Sequence, residues 1–159
     1  MDVIGKSPIP VLVLLIGKSA FLGCSVFFIV KVMNIDAMLY DSVLTQVLGA
    51  VLYAGGLMMV IVSTVQLGRS VAVGIPERDT ELKTHGLYRL TRNPIYVGGF
   101  IMCVGSCLFS IHFVNFLLLG ITVVVHLRIV KREEEFLEKR FGQRWLDYKH
   151  RVPRFIGRT

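Results

Sequence analysis

Residues 85–99, "HGLYRLTRNPIYVGG", change character at a single point. Up to Asn93 the stretch is dense in hydrogen-bonding side chains: His85, Tyr88, Arg89, Arg92 and Asn93. From Pro94 it becomes an apolar segment with Tyr96 near its start. Proline suits the first position of a helix and biases the residue before it away from helix, so a helix is expected to begin at about Pro94. Its first N–H groups are then unpaired at the mouth of a hydrophobic span. Two readings follow. Tyrosines and arginines are routine anchors at a membrane boundary, and the same residues also suit a binding site for a polar cofactor at the membrane surface.

Working outward, the whole chain favours a membrane. It has 159 residues, of which 53% are hydrophobic, and a mean hydropathy of +0.64; this is too apolar for an ordinary soluble domain. The formal charge of +7 is not a nucleic-acid footprint. Ten of the 18 Lys and Arg residues lie from Arg128 onward, beside a hydrophobic segment, where a basic run faces anionic lipid headgroups. Cys24, Cys103 and Cys107 sit in apolar runs and imply neither a disulfide framework nor a metal site. The N-terminal run after Lys6 resembles a signal peptide, but Lys18 interrupts it and apolar sequence continues to Val30, so it is expected to be retained.

A hydrocarbon core of about 30 Å requires roughly 20 apolar residues as helix. Ile9–Val30 and Val43–Leu67 meet this length, whereas Ile95–Ile111 and Phe113–Leu127 are shorter and read as a tight helical hairpin. The strong helix formers after Leu127 predict that the last helix continues beyond the membrane. The expected architecture is an all-α polytopic membrane protein with about four transmembrane helices and a cytoplasmic C-terminal helical extension. It forms one membrane domain, with two N-terminal spans in residues 1–67 and a core in residues 68–159. The 66–94 loop carries Arg69, Arg78, Lys83, Arg89 and Arg92, while the 32–42 loop has Asp36 and Asp41 and no basic residue. The positive-inside rule therefore puts both termini and the 66–94 loop in the cytoplasm. Gly49, Gly55, Gly56, Gly98, Gly99 and Gly105 allow close helix approach in lipid. Lys18 costs about 2.5–3.5 kcal/mol at mid-span and is expected to face a protein interior, a polar cavity or a lipid phosphate.

In "VKREEEFLEKRFG" (130–142), helical spacing gathers Val130, Glu134, Leu137 and Phe141 on one face, with Ile129, Glu133 and Phe136 on the neighbouring stripe. Lys131, Glu135 and Lys139 form a solvated ladder opposite. Glu133 and Glu134 thus lie on the apolar flank, where carboxylates are costly unless they meet donors or a cation. Arg128 and Arg92 are the candidates, and a structural salt bridge tying this helix to the core is the plain alternative.

The two stretches together carry a resemblance. "HGLYRLTRNPIYVGG", followed some 35 residues later by "REEEFLEKRFGQRWLDYKHRVPR", resembles the core of the isoprenylcysteine carboxyl methyltransferase family and its relatives, the phospholipid N-methyltransferases. The matching positions are Gly86, Tyr88, Arg92, Asn93, Pro94, Tyr96, Gly98, Glu133, Glu134, Leu137, Phe141, Gly142, Trp145 and Tyr148. The resemblance implies S-adenosyl-L-methionine bound at the cytoplasmic face, and a lipophilic or lipidated acceptor entering from the membrane lipid. It implies a cofactor pocket of His85, Gly86, Tyr88, Arg92, Asn93, Pro94, Tyr96, Gly98 and Glu134, with Arg128 and Glu133 beside the transferring methyl. No metal is implied. Asn93 departs from the family's usual histidine; it keeps hydrogen bonding and loses titration.

Methyl transfer from a sulfonium is an in-line displacement, so the protein mainly aligns the partners and excludes water. A carboxylate acceptor of the isoprenylcysteine kind needs no base and is oriented by Arg128. An amine or thiol acceptor needs deprotonation, which a buried Glu133 provides. Two other classes compete: an NADPH-dependent sterol-reductase-like protein, whose tail "FGQRWLDYKHRVP" resembles, and a non-catalytic membrane scaffold. Four spans also leave room for a homodimer that completes the site.

Overall fold

The computed structural model describes residues 10–35, 42–68 and 81–157. These residues form five α-helices: α1 (Val11–Val32), α2 (Val43–Leu67), α3 (Pro94–Phe109), α4 (Phe113–Phe141) and α5 (Gln143–Arg151). A short 3-10 turn, Gly86–Arg89, precedes α3. By length and composition α1, α2 and α4 can each cross a membrane, and α3 is a shorter apolar helix of 16 residues. That is about 24 Å of helix, less than a hydrocarbon core of about 30 Å. The expected start at Pro94 and the unbroken continuation of the last helix past Leu127 are both present. His112 starts that helix, its Nδ1 accepting a 3.2 Å hydrogen bond from the Val114 N–H.

The four long helices pair antiparallel, α2 mainly along α3 and α1 mainly along α4. Glycine sets the first pairing. A Cβ on Gly49 would lie 2.7 Å from the Gly105 carbonyl oxygen, and one on Gly56 would lie 2.6 Å from that of Gly98. Each helix repeats its contact glycine after seven residues, so one straight seam brings the two backbones together. Gly55, also expected at a contact, faces open space. In the second pairing Gly17 sits level with Val125 and His126, and Gly23 with Leu118. Between the pairs, the Ser106 hydroxyl donates to the Cys24 carbonyl at 2.5 Å and the Asn115 amide donates to Ser106 at 3.1 Å.

These pairings bring the start of α1, the end of α2, the start of α3 and the exit of α4 to one end of the bundle. The two polar motifs therefore share an end, as expected. Of the charges on which the expected orientation rests, Arg69, Arg78, Asp36 and Asp41 lie outside the described residues, as does Lys6. Lys18 is exposed on α1, so of its three expected environments the protein interior does not apply.

The exiting part of α4 has the predicted faces. Val130, Ile129 and Glu134 are buried, while Lys131, Glu135 and Lys139 are exposed. The exposed ion pair is Arg132 to Glu135 at 3.7 Å rather than the expected ladder. At Gly142, whose φ of +53° suits glycine, the chain turns into α5. Trp145, Tyr148 and Val152 then pack with Leu82, Leu137 and Phe141 into a small core at the same end of the bundle.

Candidate active site

Each segment at this end is fixed by its own local chemistry. Gly86 has φ of +59° and lies against the side chain of Gln66, at the end of α2, where any Cβ would collide. Gln66 Oε1 accepts from the Leu87 N–H at 2.8 Å, locking the 3-10 turn onto α2. Tyr88 is buried; its carbonyl accepts from the Tyr148 hydroxyl at 2.6 Å. Burial, with the charge of Glu133 nearby, pushes the Tyr88 phenol up to about 12, so it is neutral at physiological pH. Thr91, fully shielded, accepts from the Asn93 N–H at 3.2 Å and so shapes the turn that feeds Pro94 into α3.

The two adjacent glutamates have different surroundings. Glu133 accepts one hydrogen bond, 2.8 Å from the Tyr96 hydroxyl, and no second donor among the described residues reaches it. It lies beside an aromatic group: Tyr96 and Phe100 each contact the His126 ring, at 5.6 and 6.3 Å, and Phe100 meets Phe155 at 6.0 Å. Glu134 is saturated instead. Its Oε1 faces the Asn93 amide at 3.3 Å and Arg92 Nη2 at 3.4 Å. Its Oε2 accepts from Arg154 Nε at 3.0 Å and Arg154 Nη2 at 2.7 Å. That bidentate bond holds the Arg154 guanidinium more firmly protonated than usual.

Arg92 is only 8% exposed at its side chain. Its guanidinium lies 5.8 Å from the centre of the Trp145 ring, and its Nε and Nη1 have no hydrogen-bond partner among the described residues. Burial lowers its proton affinity and Glu134 partly restores it. Arg92 also forms one wall of a cavity of about 540 Å³, together with Leu146, Lys149, His150, Val152, Pro153 and Arg154.

Of the residues singled out from sequence, Tyr88, Arg92, Asn93, Tyr96, Glu133 and Glu134 converge here. Pro94 is the buried first residue of α3, and Gly98 lies in the α2–α3 seam facing Gly56. His85 is exposed ahead of the 3-10 turn. Arg128 does not meet Glu133: it is exposed, because five residues of helix separate the two by about 140° around the axis. Glu134 has the salt-bridged arrangement that was the plain alternative. The sequence reading missed Arg154, Thr91 and Gln66. A buried carboxylate seeking two cations was the available signal for Arg154.

Residues 44–144, well over half of the chain, match the phospholipid methyltransferase family, and the chain belongs to that family. No curated protein matches the chain.

The polar groups also suit S-adenosyl-L-methionine. Two buried guanidinium nitrogens of Arg92 lack an acceptor among the described residues and fit a carboxylate, and Glu133 has an oxygen to offer a cation beside aromatic faces.

Proposed function

We propose that the protein transfers a methyl group from S-adenosyl-L-methionine to a lipophilic acceptor, at the cytoplasmic face of a membrane that it crosses four times. The observation that carries this reading is Glu133, held by Tyr96 at 2.8 Å with its remaining capacity unspent, inside the family-matched segment. When bound, the cofactor supplies an electrophilic methyl on a sulfonium. The chain's residues do the rest: Arg92 and Asn93 hold the polar end, Tyr88 and Tyr96 give apolar walls, and Glu133 faces the cation.

Charge favours an amine-bearing phospholipid over a carboxylate as acceptor. A carboxylate would approach Glu133 without a compensating cation, since Arg128 points elsewhere on α4. An ammonium is attracted instead, and Glu133 would take its proton, leaving the neutral amine that methylation requires. Arg128, exposed just past the apolar part of α4, orients the incoming headgroup through its phosphate. Titration of the purified protein with S-adenosyl-L-methionine and with NADPH tests the reading. Saturable binding of the first alone is expected; binding of NADPH, or of neither, contradicts it.

A further inference from the structure

Val152–Phe155, beyond α5, does not run free. Pro153 accepts a 2.9 Å hydrogen bond at its carbonyl from the Arg92 N–H. The Arg154 carbonyl accepts from the Thr91 hydroxyl at 2.9 Å and from the Asn93 amide at 3.1 Å. The Arg154 side chain reaches the other way and grips Glu134 Oε2 with two nitrogens. Phe155 then lies on Phe100 in α3. One residue therefore joins the 91–93 loop, through its backbone, to α4, through its side chain. Both partners adjoin the site, and all of 145–157 falls beyond the family-matched segment.

From this geometry we infer that Arg154 is a positioning residue for methyl transfer, and that Val152–Phe155 is a clasp that sets the site's shape. The inference rests on the proposed methyltransferase reading. Glu134 and Glu133 are consecutive on α4, so the grip on Glu134 holds the turn that carries Glu133 against the 91–93 loop and the start of α3. Arg92 alone meets Glu134 only at 3.4 Å; the close, bidentate partner is Arg154. Without the Arg154 guanidinium, Glu134 keeps only the Asn93 amide at 3.3 Å and Arg92 at 3.4 Å, and the 152–155 segment is held to the 91–93 loop by backbone acceptors alone. Arg154 is assigned here a positioning role and not a catalytic one. It acts through Glu134 and Asn93.

The test compares wild type with Arg154→Ala, Arg154→Gln and Arg154→Lys in full-length reconstituted protein, scored per cofactor-binding site. Arg154→Ala is expected to lower kcat at least tenfold with less than threefold change in acceptor KM, and Arg154→Lys to recover part of the loss. Wild-type kcat in Arg154→Ala overturns the inference, however far its melting temperature falls. If Arg154→Ala does not fold, Arg154→Gln decides on the same criterion. Hydrogen exchange at the Arg92 amide supplies a reading free of activity: protected in wild type, and exchanging at least tenfold faster in the variant that folds. Equal exchange overturns the clasp. A wild type that binds no S-adenosyl-L-methionine defeats the proposed function separately, and the exchange result still judges the clasp.

Discussion

The Tyr96 hydroxyl donates a 2.8 Å hydrogen bond to Glu133, joining the first turn of α3 to the part of α4 that has left the apolar stretch. A carboxylate this shielded, with one strong donor, is poised for a second, cationic partner. Tyr96→Phe keeps the ring and removes the bond. A hydrogen bond to a charged group is worth about 1.5–3 kcal/mol, so methyl transfer should fall by about tenfold or more while the helical circular dichroism is retained. Unchanged turnover in Tyr96→Phe would show that this bond does not serve the chemistry.

The Asn93 amide donates to Glu134 at 3.3 Å and to the Arg154 carbonyl at 3.1 Å. Asn93→Asp keeps the size but replaces a donor with an anion facing an anion. Thermal stability should drop, by an amount corresponding to about 1–3 kcal/mol for the lost donor and its unsatisfied partners. Asn93→His, which retains a donor, should be tolerated better. The order of melting temperatures among the three proteins checks this directly, and an Asp variant as stable as wild type refutes the pairing.

The α2–α3 seam gives a matched pair of substitutions on neighbouring residues. Gly56→Ala puts a Cβ 2.6 Å from the Gly98 carbonyl oxygen, backbone that cannot swing away, whereas Gly55→Ala meets nothing within 4 Å. Overpacking of this kind costs about 1–3 kcal/mol. Gly56→Ala should lower the melting temperature in detergent and Gly55→Ala should leave it near wild type. Equal effects would mean that α2 does not pack on α3 through this face.

This contrast also shows where sequence reading stops. Spacing along 130–142 predicts which residues of α4 are buried, because a helix has a fixed period and Glu133 and Glu134 must follow it. Pro94 marks the start of α3 because proline constrains its own backbone and that of Asn93. Which of Gly55 and Gly56 faces α3 depends on how two helices rotate against each other, and neither residue carries a side chain to reveal it. Arg154 escapes for a related reason. Its partner lies twenty residues away across the turn at Gly142 and a non-helical segment, so no local period links them. Conversely, Arg128 looks close to Glu133 in sequence, yet five residues of helix turn the two apart.

Arg128 and Glu133 separate the two acceptor chemistries. If an amine is methylated, Glu133 removes its proton and Arg128 only steers the headgroup. Arg128→Ala should then raise acceptor KM several-fold with kcat retained, whereas a carboxylate acceptor, for which Arg128 would be the orienting cation, should lose kcat as well. Steady-state kinetics with phospholipid amine and prenylated cysteine acceptors distinguish the cases.

The most direct measurement is transfer of a labelled methyl group from S-adenosyl-L-methionine into membrane lipid by the reconstituted protein, wild type beside Glu133→Gln. The wild type should label a lipid amine, and Glu133→Gln, folded and still binding the cofactor, should be at least a hundredfold slower. Transfer by Glu133→Gln at the wild-type rate, or no labelled lipid from a wild type that is folded, would contradict the assignment of this site.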